Sequence, residues 1–236
     1  MSDRPVWLFW DFDGTLAERD GMWTATVHAI LVKNGISHIP FAELRPFLNL
    51  GFPWDSPETP HALYFRGRGW WETVTGMIAS ALVTLGLDEK TAAVLAGHVR
   101  AEFLRPEKWR LFPDTRPALE TARKLGWKSM ILSNHVPELP QLVDQLGVAD
   151  FFEAVISSAL VGCEKPDREI FRMAAGHAPA GSRCVMIGDN YAADIGGARR
   201  AGLQAVWVRK PNTKEYPRHS PGLEGIFPLI QALWDR

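Results

Sequence analysis

The chain has 236 residues, 46% of them apolar, and 26 basic residues against 27 acidic ones give a formal net charge of −1. That length accommodates one large domain or a domain carrying an insert, and that apolar fraction excludes wholesale disorder. The balanced charge gives no ground for a nucleic-acid or membrane-surface partner, and no apolar run approaches the length of a membrane span.

The first element is an apolar run, Val6-Trp7-Leu8-Phe9-Trp10, closed by Asp11-Phe12-Asp13-Gly14-Thr15-Leu16. A short apolar run rich in aromatics and ended by a turn dipeptide reads as a buried strand. A helix follows, with Trp23, Val27, Ile30 and Leu31 on one face and Asn34-Gly35 as its stop. Residues 36–70 are punctuated by Pro40, Pro46, Pro53, Pro57 and Pro60, against any long helix. Val74, Met77, Ile78, Ala81, Leu82 and Leu85 then form an apolar stripe at helical spacing. Asp88 caps a further helix carrying Ala92, Leu95, Val99 and Phe103. Residues 17–110 thus read as helical, without a convincing strand.

From residue 112 the texture changes. Helices are expected over 115–125, around 139–146, around 170–174, over 194–201 and around 226–233, and strands over 127–132, 154–156, 184–187 and 205–208. A proline-rich loop spans 210–221. Strands alternating with helices imply an α/β fold, a doubly wound parallel sheet. The expected organisation is a core of residues 1–16 and 111–236, with 17–110 as an inserted helical cap.

Parallel strands bring their carboxyl ends to one edge, where ligands of open α/β sheets collect. Asp11 and Asp13, Ser133 and Asn134, and Asp189 with Asp194 all stand at such ends, and a loop carrying Lys165 follows the remaining strand. Crowded carboxylates repel and take up protons unless a hard cation joins them, and oxygen ligands suit magnesium. Magnesium favours a phosphate-bearing substrate. Lys165 supplies a point charge for phosphoryl oxygens and Ser133 a hydroxyl donor. One carboxylate can attack phosphorus while a second moves protons.

In their order and spacing, Asp11-Phe12-Asp13-Gly14-Thr15-Leu16, Ser133-Asn134, Lys165-Pro166-Asp167 and Gly188-Asp189-Asn190-Tyr191-Ala192-Ala193-Asp194 resemble the four motifs of the haloacid dehalogenase superfamily, on its phosphatase side. The resemblance implies a Rossmann-like core and a cap between the first and second motifs. It implies Asp11 as nucleophile, through an aspartyl phosphate, and Asp13 as general acid and then base. It makes Ser133, Lys165 and, with them, Asn134 the phosphate-binding residues, although Asn134 also reads as a turn former. Magnesium would be held by Asp11, the Asp13 backbone carbonyl and Asp189, with Asp194 in support.

The expected activity is therefore magnesium-dependent hydrolysis of a small phosphorylated metabolite. A sugar-phosphate mutase of the same superfamily is the nearest alternative, and a non-catalytic binding protein or a 2-haloacid dehalogenase stands behind it. The dehalogenases of that superfamily lack the second aspartate of the first motif, which Asp13 supplies here. In the cap, Arg66 and Arg68 are candidate contacts for an anionic substrate, against the reading of a solvated loop. The ten tryptophans are expected to be packing residues. His135 is expected in a solvated loop and Cys163 as a bystander thiol. The opening Met1-Ser2-Asp3-Arg4-Pro5 has no basic stretch before an apolar one, and the two cysteines form no disulfide framework, so a reducing cytoplasm is expected. Oligomeric state leaves no mark in the sequence.

Overall fold

The computed structural model describes residues 4–48 and 68–234. Contacts divide the chain into two units, Met1–Glu18 with Arg110–Arg236, and Arg19–Trp109.

The first unit is built on a six-stranded sheet. Its strands are β1 (Val6–Trp10), β4 (Lys128–Ser133), β5 (Val155–Ser157), β6 (Arg183–Gly188), β7 (Gln204–Val208) and β8 (His219–Ser220), in the order β5-β4-β1-β6-β7-β8. Every pairing is parallel; in the centre Trp10 lies opposite Ile131 on one side and Ile187 on the other. Helices flank the sheet, and β1 is buried at every position, which is why it reads as an unbroken apolar run rather than an alternating one. Trp7 and Phe9 join Met130, Leu132, Met186, Ile170 and Phe171 in one core cluster. The indole of Trp10 finds its polar partner inside the core, donating to Ser129 Oγ at 3.0 Å. The parallel α/β fold expected from the sequence is the fold observed.

Differences from the expected elements are local. Two short strands, β2 (Ala17–Arg19) and β3 (Trp109–Leu111), pair in a separate ribbon where no strand was expected. β8 forms inside the proline-rich loop. At two or three residues each, these strands are too short to carry a periodicity. The helix expected over 194–201 starts earlier, as a π-helical turn over Tyr191–Gly196, because Asn190 Oδ1 caps it by accepting from the amides of Ala192 and Ala193, both at 3.0 Å.

The second unit is helical, with helices Met22–Lys33, Phe41–Leu48, Arg68–Thr84, Glu89–Gly97 and Val99–Phe103. Phe41–Leu48 forms in spite of Pro46, inside the stretch read as irregular. Asp88 caps as expected, accepting from the Thr91 amide at 3.0 Å. Trp23 stacks on Phe103 at 4.1 Å and meets Trp70 and Trp71, each at 6.2 Å, so these tryptophans are core residues of this unit. Arg68 opens a helix rather than sitting in a loop, though its side chain lies outside the described residues, as do Arg66 and Trp54 altogether.

Candidate active site

Asp11 follows β1 directly, and its backbone amide still pairs with the Ile187 carbonyl at 2.9 Å. The chain then turns sharply: the amides of Leu16 and Ala17 both donate to the Phe12 carbonyl at 3.0 Å, and Gly14 donates to Ala17 at 2.8 Å. Gly14 is required twice over. Its φ of +76° is left-handed, and a Cβ there would lie 2.5 Å from Asp189 Oδ2. Gly188 shares only the steric constraint, since a Cβ there would collide with the Asp194 carboxylate.

Four residues named from the sequence converge on one point. Asp11 Oδ1 accepts from Ser133 Oγ at 2.8 Å and from Lys165 Nζ at 2.7 Å. Lys165 Nζ also donates to Asp194 Oδ1 at 2.6 Å, and Asp194 Oδ2 accepts from the Asn190 amide at 2.9 Å. Both oxygens of Asp194 are thereby engaged, and the residue is fully buried. Asp189 stands beside them, 3.3 Å from the Nζ of the exposed Lys210, a cation the sequence did not single out. Asp13 keeps 27% side-chain exposure, yet its Oδ1 is shielded from solvent and accepts no hydrogen bond among the described residues.

The charges do not balance. Asp11, Asp13, Asp189 and Asp194 face one buried lysine. Burial, then the Asp11 and Asp189 charges, push Asp13 well above the ordinary carboxylate range. Burial and the Asp11 charge push Asp189 up to about 6 against the pull of Lys210. Burial raises Asp194 despite its lysine partner. Burial alone would lower Lys165, but the Asp11 and Asp194 carboxylates more than reverse that and hold it charged. Asp11, Asp189 and Asp194 each offer an oxygen within 4.8 Å of the others, so the donor set is hard, anionic and short of positive charge. Those residues fit a divalent cation such as magnesium.

Two side chains differ from their expected roles. Asn134 faces the Lys165 backbone rather than an open phosphate position: its Nδ2 donates to the Lys165 carbonyl and its Oδ1 accepts from the Lys165 amide, both at 2.8 Å. It closes a two-bond clamp on the loop that carries the lysine. Two such bonds contribute about 1–3 kcal/mol together, so Asn134→Ala is expected to unfold in urea with a loss of that order. A loss below about 0.5 kcal/mol would show that the clamp bears no load. His135 is the second. It is 5% exposed, not solvated, because Ser157 Oγ at the end of β5 donates to the carbonyls of His135 at 2.7 Å and Val136 at 2.8 Å and pins the loop inward.

A clasp that the sequence did not reveal holds the turn itself. Arg209 donates to the Thr15 carbonyl through Nε at 3.0 Å and Nη2 at 2.8 Å, and pairs with Asp114 at 2.6 Å. Burial works against the Asp114 carboxylate, but its bonds from Arg209 and the Leu223 amide hold it below the usual range.

A family model described as haloacid dehalogenase-like hydrolase matches residues 7–202, which take in all of β1 but Val6, the Ser133 and Lys165 loops and the acid pair after β6. The chain belongs to the haloacid dehalogenase-like hydrolase family. Within curated relatives, a phosphoserine phosphatase of Thermus thermophilus is 39% identical over 127 residues, covering 52% of this chain and 50% of its own length. A glyceraldehyde 3-phosphate phosphatase of Methanothermobacter thermautotrophicus is 31% identical over 153 residues, covering 63% of this chain and 62% of itself. The chain thus spans about half to under two thirds of the length of these curated relatives. The HAD-hydrolase YfnB of Bacillus subtilis shares the fold, with a TM-score of 0.77 at 20% identity over 97% of this chain and 100% of its own. Among the described residues no helix is long and apolar enough to cross a membrane.

Proposed function

We propose that this haloacid dehalogenase-like hydrolase is a magnesium-dependent phosphatase for a small phosphorylated metabolite. The observation that carries the reading is Asp11 Oδ1, held by Ser133 at 2.8 Å and Lys165 at 2.7 Å, with a raised carboxylic acid two residues along the chain. The names of the phosphoserine and glyceraldehyde 3-phosphate phosphatases point the same way.

Asp11 attacks phosphorus with one carboxylate oxygen, and the bond from phosphorus to the ester oxygen breaks. Asp13, whose carboxyl group burial and the Asp11 and Asp189 charges push well above the ordinary range, gives a proton to that departing oxygen. Ser133 and Lys165 hold the phosphoryl oxygens. In the second half, Asp13 as carboxylate takes a proton from water, the water oxygen attacks phosphorus, and Asp11 is released with inorganic phosphate. Asp11, Asp189 and the Asp13 backbone carbonyl would hold magnesium, with Asp194 in support through Lys165. The ion, when bound, offsets the excess negative charge of the acids and of the phosphoryl group. Residues 17–110 would serve as the cap that selects the substrate, with Arg66 and Arg68 as candidate contacts within it.

The test is a turnover screen over phosphorylated metabolites, with and without magnesium. Activity is expected to vanish in chelator and return with magnesium. Undiminished turnover after exhaustive chelation would end the metal reading, and no turnover on any phosphate ester would end the phosphatase reading.

A further inference from the structure

Ser133, Asn134 and His135 are consecutive, and each reaches a different member of the site. The Ser133 hydroxyl bonds Asp11, and the Asn134 amide clamps the backbone of Lys165. His135 turns to a third, with Nε2 3.6 Å from Asp13 Oδ1.

The imidazole is fixed from several directions. Its ring lies edge-on to Phe12, the residue between the two aspartates, with centroids 5.4 Å apart and planes at 88°. Its backbone amide donates to Ser158 Oγ at 3.3 Å, and its carbonyl accepts from Ser157 at 2.7 Å. The side chain is 1% exposed. Nε2 thus faces the shielded oxygen of Asp13 from 3.6 Å, longer than a direct hydrogen bond.

Resting on the phosphatase reading, we propose that His135 is a positioning residue for Asp13: it fixes the rotation of the carboxyl group by occupying its Oδ1 side, so that the other oxygen delivers and collects the proton. Proton transfer demands hydrogen-bond reach of the leaving oxygen, and a carboxyl group free to rotate spends less time in that geometry. His135 therefore affects the step in proportion to how much the leaving group needs a proton. A residue that merely filled space would affect all substrates alike.

The experiment compares the wild-type enzyme with His135→Phe, which keeps a ring against Phe12 but no nitrogen, and His135→Gln, whose amide nitrogen reaches the Nε2 position. Each is assayed on 4-nitrophenyl phosphate and on the alkyl phosphate that wild type turns over best. Read in single turnover through alcohol release, the phosphoryl-transfer step of His135→Phe is expected to fall about tenfold on the alkyl ester and less than about threefold on the nitrophenyl ester. His135→Gln is expected to recover most of the loss. Equal losses on the two esters, no loss on either, or glutamine no better than phenylalanine would overturn the inference. Should the phenylalanine variant fail to fold, His135→Asn takes its place: its amide is too short to reach Asp13, and the same selective loss is expected. A wild type inactive on both esters would instead sink the phosphatase reading.

Discussion

Asparagine at position 11 is expected to abolish turnover, with a loss of about 10⁴-fold or more in kcat. An amide is nearly the shape of a carboxylate but is not a competent nucleophile toward phosphorus. The substitution leaves the rest of the arrangement standing, because Lys165 keeps Asp194 at 2.6 Å and Asn134 still clamps its backbone. It also removes one negative charge from a group in which Asp13 and Asp189 are both raised partly by the charge of Asp11. The variant is therefore expected to melt no lower than wild type in the absence of metal, as is common where a catalytic group is held at a cost in stability. Two measurements check this. Steady-state assay gives the rate, and acid quench of wild type with labelled substrate, followed by peptide mapping, should find a hydroxylamine-sensitive phosphoryl group on Asp11. A variant within tenfold of wild type, or a label on another residue, would assign the chemistry elsewhere.

How much of this was legible in the sequence depends on the range of each interaction. β1 could be read because both of its faces are buried and the chain must then be apolar at every step. The strand-end acids could be read because a parallel sheet gathers its carboxyl ends whatever the intervening lengths. Asn134 and His135 could not be placed, since their roles depend on groups distant in sequence. The partner of Asn134 is the backbone of Lys165, 31 residues on, and the loop of His135 is drawn inward by Ser157. Arg209 is the extreme case, reaching the Thr15 carbonyl across 194 residues. A signal for His135 was nonetheless present: it directly follows two residues already placed at the site. The helix Phe41–Leu48 was obscured by its own Pro46, although the Pro40 carbonyl starts it by accepting from Glu43 at 3.0 Å.

The second large effect separates the two aspartates. Asp11 and Asp13 are two positions apart with Phe12 between them, and in an extended strand both would point the same way. The turn at Gly14, with Leu16 and Ala17 donating back to the Phe12 carbonyl, breaks that pattern directly after Asp11. Asp13 is thus free for a separate task, and the upward shift of its pKa, from burial first and then the Asp11 and Asp189 charges, favours the acid form that task needs. An alkyl alcohol departs poorly as its alkoxide, whereas nitrophenolate departs well unaided. General acid catalysis contributes roughly 10²–10⁴-fold, and asparagine cannot supply the proton. The backbone carbonyl of residue 13 is unchanged by the substitution, so metal binding should persist. Asp13→Asn is therefore expected to lose about 10²–10⁴-fold in the phosphoryl-transfer step on an alkyl phosphate and far less on 4-nitrophenyl phosphate. Release of phosphate from Asp11 should slow on both, since water has lost its base whatever alcohol departed. Single-turnover kinetics read the first step through alcohol release and the second through phosphate release. If the first step falls equally on the two esters, Asp13 is not the acid, and the leaving oxygen must take its proton from another group or from solvent.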